Sequence, residues 1–151
     1  MAIALNLTAP LKQDPETQQH LAELAASFAD TVQPVIDAAL ARSEIVHYAR
    51  VVVIDNRYIQ VLTEFDGDPM QYTEFFRREL QPVFQAIFSL VEGAPSWDEL
   101  NNPESFFEFT HNLNLRSLGT SADGGDRGYL FSAPGDRTVR ELKAALAQPV
   151  S

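Results

Sequence analysis

The sequence has no cysteine, few basic residues and no long apolar run, and each absence excludes a class of protein. Without cysteine the chain has no disulfide, no thiolate nucleophile and no cysteine metal site. With 11 basic against 21 acidic residues, it lacks the clustered cations that bind nucleic acid. No stretch approaches the ~20 apolar residues that span a bilayer. No signal peptide is predicted either, so we expect a cytoplasmic protein.

The length and composition predict one globular domain over residues 1–151. A chain of 151 residues with 45% hydrophobic content can fill one core. The net charge of −10 favours solubility and does not define a chemistry.

A strand followed by a helix that opens with Asp-Pro occurs twice. Ala4–Thr8 alternates apolar and polar residues, and Asp14 then precedes a proline and a long amphipathic pattern. Arg57–Phe65 precedes Asp68, which is followed in the same way. Pro34 and Pro82 lie inside these patterns and predict a break in each helix. The repetition predicts two β-α-β halves in one sheet.

The remaining segments complete this plan. Ile45–Ile54 is rich in β-branched residues and predicts a strand, which Asp55-Asn56 joins to the next strand as a two-residue hairpin turn. An irregular insertion is expected at about 94–126, before a short strand at Tyr129–Ser132 and a helix at Thr138–Ala147. The order predicts an α+β, ferredoxin-like βαββαβ fold with a C-terminal helix. Right-handed crossovers place both long helices on one face of the antiparallel sheet.

The two-residue turn predicts the hairpin register and, through it, a dimer. In that register His47 faces Glu64, and Gln60 lies on the same face. Apolar residues then occur on both faces of the sheet, while the helices cover only one. A second copy packed sheet against sheet supplies the missing cover. We therefore expect a homodimer, a dimeric α/β barrel, whose central space holds a small apolar molecule.

Four side chains are candidates for catalysis: His47, Glu64, Arg50 and His111. A histidine paired with a carboxylate acts as a general base or, alternatively, supports the sheet as a buried hydrogen-bonded residue. Arg50 is expected on the helix side in an ion pair, or bound to a substrate carboxylate. Asp68 is explained as a helix cap and Asp66 as a turn residue.

The candidate ligand-binding site combines three polar side chains with two aromatic ones. Phe106 and Phe107 form either a lid over an apolar pocket or an anchor for the insertion. The expected set is His47, Gln60, Glu64, Phe106 and Phe107. No metal site is predicted, because the three histidines lack ligand spacing.

Several short motifs resemble a family. They are Ile45-Val46-His47-Tyr48-Ala49-Arg50, Phe65-Asp66-Gly67, Tyr129-Leu130-Phe131, Pro134-Gly135 and Arg137-Thr138-Val139. Together they resemble a poorly characterised ferredoxin-like group, found as small proteins or as segments near haem peroxidase, lipoxygenase or cytochrome-type enzymes of lipid oxidation. More loosely, the chain is similar to dimeric α/β barrels that include dye-decolourising peroxidases and chlorite dismutases. This resemblance implies haem as a candidate cofactor and a histidine at the position of His111.

Two classes of function follow. The first is a binding protein for a small apolar molecule, or an accessory protein of a partner oxidoreductase. The alternative is a small oxidoreductase or isomerase, haem-associated, that uses His47 as its base.

Overall fold

The computed structural model of the chain describes residues 2–121 and 127–147. These residues form a three-stranded sheet and seven helices, an α+β architecture. In chain order the elements are β1 (Ile3–Pro10), α1 (Pro15–Thr31), α2 (Gln33–Ser43), β2 (Val46–Ile54), β3 (Tyr58–Phe65), α3 (Pro69–Glu79), α4 (Gln81–Phe88), α5 (Trp97–Leu100), α6 (Pro103–Asn112) and α7 (Val139–Ala147).

The helix starts and breaks agree with the sequence. Asp14 and Asp68 cap α1 and α3, and each side chain accepts a hydrogen bond from the backbone N–H three residues later. Pro34 and Pro82 lie in the first turns of α2 and α4, where the missing proline N–H costs no helical hydrogen bond. Each proline therefore begins a new helix where a break was predicted.

The sheet has the order β1-β3-β2, and both pairings are antiparallel. One face packs against the helices, and the ring of Tyr72 in α3 stacks on Phe65 of β3 at 3.9 Å. The buried strand residues on this face are Leu5, Leu7, Ala9, Val46, Ile59, Val61, Thr63 and Phe65. The other face, here called the open face, carries Ala4, Asn6, Thr8, Tyr48, Arg50, Val52, Ile54, Tyr58, Gln60, Leu62 and Glu64.

The four-stranded ferredoxin-like prediction is wrong. Among the described residues only three strands form, and Tyr129–Ser132 is not one of them. The outer edge of β1, where a fourth strand would pair, is occupied instead by the chain after α6. There Thr8 N–H donates to Leu113 O at 2.9 Å, and Leu115 N–H donates to Asn6 O at 2.9 Å.

The chain turns at Asp55-Asn56 as predicted, but the connection has three residues instead of two, and the register differs by one residue from the prediction. Asp55 and Asn56 have φ of 51° and 53°, as a two-residue turn requires. However, Ile54 pairs with Tyr58, so Arg57 is an additional residue in the connection. A shift of one residue moves every side chain of β3 to the opposite face relative to β2. Val51 therefore meets Val61 on the helix side, whereas Val52 and Ile54 lie on the open face opposite Gln60 and Tyr58.

This register removes the basis for the dimeric α/β barrel, and that prediction is wrong. The buried residues on the helix side of the sheet are apolar except for Thr63, which is hydrogen-bonded to Tyr72, whereas the open face mixes polar, charged and apolar side chains. A three-stranded sheet with seven helices among the described residues does not match the barrel architecture.

The predicted irregular insertion is partly helical. Residues 97–112 contain α5 and α6, and residues 122–126 lie outside the described residues. Phe106 of α6 is 1% exposed and packs edge-on against Phe84, with ring centroids 5.3 Å apart. The insertion is therefore joined to the common core through this side chain.

Candidate functional site

A β-bulge at the start of β2 sets the direction of His47. Val46 pairs with Phe65 and Tyr48 pairs with Glu64, which leaves His47 as the extra residue without a partner on β3. Bulges of this kind turn a side chain away from the regular alternation of a strand. The prediction that His47 faces Glu64 is therefore wrong, because Tyr48 occupies that position.

His47 instead forms a pair with Asp66, just beyond the end of β3. The two atoms His47 Nε2 and Asp66 Oδ1 are 2.8 Å apart, and the side chains are only 15% and 12% exposed. An ionised carboxylate only accepts hydrogen bonds, so Nε2 carries the proton of this bond. In the neutral ring Nδ1 is then the remaining proton acceptor.

Asp66 also holds the first turn of α7. Its second oxygen, Oδ2, accepts a hydrogen bond from the backbone N–H of Val139 at 2.8 Å. Its own N–H donates to Ile45 O at 2.8 Å. Asp66 therefore connects three places in the fold: the bulge of β2, the end of β3 and the N-terminus of α7.

The sequence analysis assigned Asp66 to a turn and did not predict its contacts with His47 and Val139. One signal was present: Asp68 alone is sufficient to cap α3, so Asp66 had no local role to fulfil. Its two partners lie 19 and 73 residues away along the chain. Nothing in the local pattern could identify them.

Glu64 lies on the open face, and one of its two carboxylate oxygens is shielded from water without gaining a hydrogen bond from any described residue. Oε2 is buried and has no hydrogen-bond partner among the described residues. Burial raises the pKa of Glu64, and the positive charge of Arg50 and the nearby His47 oppose this rise. An ionised Glu64 therefore costs free energy in the folded state.

Arg50 is also placed differently from the prediction. It was expected on the helix side in an ion pair, but it pairs with Leu62 and lies exposed on the open face. The cause is the same register shift, which reverses the faces of β2 relative to β3. Gln60 lies on this face too, and its Nε2 donates to Thr8 Oγ1 at 3.1 Å.

We expect Glu64→Gln to stabilise the protein at neutral pH by ~1 kcal/mol, because it removes a poorly solvated charge. A raised folded-state pKa means that stability is lost as the pH rises from the ordinary carboxyl range through the raised value. The advantage of the variant should therefore disappear at acid pH, where Glu64 is protonated and neutral. Urea unfolding of both proteins across this pH range measures the difference.

The control for this experiment is Glu108→Gln, on an exposed position of α6. It makes the same chemical change away from the sheet and should leave the unfolding free energy within ~0.5 kcal/mol. A Glu64→Gln variant that is less stable at neutral pH, or whose difference does not vary with pH, would contradict the argument.

His111 forms a separate arrangement in α6. Its ring stacks on Phe107 at 3.8 Å between centroids, and Nδ1 donates to Phe107 O at 3.0 Å. Burial lowers the pKa of His111, partly offset by this backbone hydrogen bond. No contact between described residues joins His111 to His47. The predicted site residues thus form three groups. His47, Glu64, Arg50 and Gln60 lie at the sheet, His111 lies with Phe107, and Phe106 lies in the core.

Two cavities in the described residues lie away from all of these groups. A cavity of about 420 Å³ runs along α3 and is lined by Met70, Gln71, Glu74, Phe75, Arg78 and Glu79. A smaller apolar one of about 150 Å³ lies between α1, α2 and α4, around Phe28 and Ile87. The smaller volume is below the ~300 Å³ of typical ligand pockets. No group of three His, Asp or Glu side chains in the described part of the chain is placed to hold a metal ion.

Comparison with known proteins does not assign this chain to a family. No family model, curated protein or solved structure matches this chain. The resemblance to the ferredoxin-like group near lipid-oxidation enzymes therefore stays an expectation from the sequence. In the part of the chain that the structure describes, none of the helices has the length and apolar character required to cross a bilayer.

Proposed function

We propose that the protein is a non-catalytic binding protein that takes up a small, largely apolar molecule on the open face of its sheet, and that it acts as a homodimer. The observation that carries the proposal is the exposure of large apolar side chains there. Tyr48 is 74% exposed, Tyr58 46% and Ile54 42%. Scattered single apolar residues need no explanation, but these three occur together on one sheet face.

Arg50 favours an apolar molecule with a negatively charged head group. It lies exposed on the open face of a chain that is otherwise strongly acidic. A carboxylate bound to its guanidinium would leave a hydrocarbon tail free to lie along Val52, Ile54 and Tyr58. A fatty acid is therefore the probe of choice. The cytoplasmic location expected from the sequence is part of this proposal.

We expect a submicellar concentration of oleate to raise the melting temperature of the protein. At a 100-fold excess over Kd, binding contributes ~2.7 kcal/mol. For a chain of this length that corresponds to roughly 5–10 °C. Arg50→Gln should abolish most of the rise, and methyl oleate, which has no charge, should act weakly on both proteins.

Arg57→Gln is the matched control. It removes the same charge at the hairpin tip, where Arg57 Nε lies 3.6 Å from Asp55 and the side chain is exposed. The control should respond to oleate like the wild type. An unresponsive wild type, or an Arg50→Gln variant that responds fully, would overturn the proposal.

The second candidate function is an enzyme in which His47 acts as a base. The observation that favours it is the His47–Asp66 hydrogen bond, since a carboxylate that accepts from Nε2 fixes the tautomer and leaves Nδ1 as the proton acceptor that a base needs. Haem titration separates the two candidates. A stoichiometric Soret band that is altered in His47→Gln favours the haem-associated enzyme, and a protein that stays colourless favours the binding protein.

A further inference from the structure

The two edges of the sheet differ in how the chain protects them. The edge of β1 is covered by the segment that follows α6, through the backbone hydrogen bonds of Thr8 and Leu115 and a bond of 2.6 Å from Asn6 N–H to Asn114 Oδ1. Along β2, by contrast, no backbone hydrogen bond from another described residue reaches the outer edge between Tyr48 and Val53. A strand with a free edge is a template for pairing with another strand.

The free edge is also apolar. Edge strands usually carry charges, proline or bulges that discourage association. In β2 the bulge and Arg50 lie in the first half, whereas Val51–Ile54 is an uninterrupted β-branched run. Tyr48, Val53 and Ile54 are all exposed. Among the three strands, β2 thus carries most of the exposed large apolar side chains, and it is the strand with a free edge.

We infer that β2 pairs antiparallel with β2 of a second copy around a two-fold axis at Val51. This inference rests on the homodimer of the proposed function and assigns its interface. The register places Tyr48 opposite Ile54 of the partner subunit, an aromatic and β-branched pair of the kind that stabilises sheets. It also places Ala49 opposite the partner's Val53 and Arg50 opposite the partner's Val52. Tyr48 and the partner's Ile54 then contact each other on the open face, and Val53 contacts the partner's Ala49 on the helix side.

Charge favours a second copy on this strand. The whole chain carries −10, so most of its surface repels its own copy. Residues 46–54 contain no acidic residue, and the register places neither Arg50 nor any other charge directly opposite a like charge. β2 is therefore a surface on which two copies can approach without facing acidic groups.

The expected dimer is reversible. A nine-residue strand is about 31 Å long and a sheet about 10 Å thick, which gives on the order of 300 Å² of edge per copy. A standard interface buries about 800 Å² per partner. Backbone hydrogen bonds supply much of the contact, so we expect association at micromolar concentration. Because the two-fold axis is perpendicular to the sheet, both open faces lie on the same side of a continuous six-stranded sheet.

Disulfide trapping tests the interface, because the natural chain has no cysteine. Directly opposed residues of antiparallel strands have Cα atoms about 4.5–5.5 Å apart, within disulfide range. Val51→Cys faces itself across the axis and should form a covalent dimer of twice 16.8 kDa on mild oxidation. Ala49→Cys is the matched control on the same strand and face. In the dimer, Ala49 lies opposite the partner's Val53, which is four residues along the strand from the partner's Ala49. The two introduced cysteines are therefore about 14 Å apart and should not cross-link.

A mixture of Ala49→Cys and Val53→Cys should cross-link although neither does alone. Circular dichroism and thermal unfolding confirm that each variant is folded. Equal cross-linking of Val51→Cys and Ala49→Cys would show random collision and overturn the interface. A wild type that sediments as a dimer while Val51→Cys stays unlinked would overturn the β2 interface but not the homodimer. A wild type that sediments as a monomer at high micromolar concentration would overturn both.

Discussion

Phe106→Ala is expected to lower the free energy of unfolding by ~3–5 kcal/mol, the largest effect of any single change considered. The side chain is 1% exposed and packs edge-on against Phe84 at 5.3 Å and Trp97 at 6.1 Å between ring centroids. Removing the ring loses its buried apolar area and leaves a cavity that the surrounding helices fill only in part. Urea unfolding followed by circular dichroism measures the loss.

This variant also decides between the two roles that the sequence leaves open for the aromatic cluster. A lid would lose ligand binding at little cost in stability, whereas an anchor loses stability. Phe131→Ala serves as the control, because Phe131 is 85% exposed and should change the unfolding free energy by less than ~0.5 kcal/mol. A Phe106→Ala protein as stable as this control would contradict the anchor.

The parts of the fold that local chemistry determines were predictable from the sequence. Asp14 and Asp68 cap their helices because a short acidic side chain satisfies free N–H groups within three residues. Pro34 and Pro82 break the helices because proline cannot donate to the preceding turn. In each case cause and consequence lie within a few residues of one another.

The pairing of the strands was less predictable, because two single additional residues change its register. Arg57 lengthens the hairpin connection by one residue, and His47 forms a bulge. Neither residue type signals an insertion by itself. Yet each one reverses the faces of everything that follows along the pair, since side chains alternate with a period of two. The predicted faces, the His47–Glu64 pair and the barrel all depended on that register.

The candidate site was predictable only in part, because the bulge at His47 could not be predicted from the sequence. His47, Glu64, Arg50 and Gln60 were recognised by type, and three of them do share one face. The partner of His47 was not recognised, because a carboxylate beyond the end of a strand becomes relevant only when a bulge turns the histidine towards it. Long-range contacts of this kind are determined by packing and not by local pattern.

The contact between Asp66 and α7 leads to the second large expected effect. Asp66→Ala removes the acceptor of two hydrogen bonds at once, which leaves the Val139 N–H and the His47 ring without their partner in a largely buried place. Since each unsatisfied buried group costs ~1–3 kcal/mol, we expect a loss of ~2–4 kcal/mol in unfolding free energy.

The loss should be localised, which distinguishes it from general destabilisation. Asp66 accepts from the Val139 N–H at the start of α7, while Thr138 caps the Glu141 N–H, so without Asp66 the α7 amides should exchange with solvent faster than those of α3. Asp68→Ala is the matched control: the same substitution two residues away removes only an exposed helix cap and should cost ~1 kcal/mol. If Asp66→Ala costs no more than this control, or if the α7 amides keep their protection, Asp66 does not hold the N-terminus of α7.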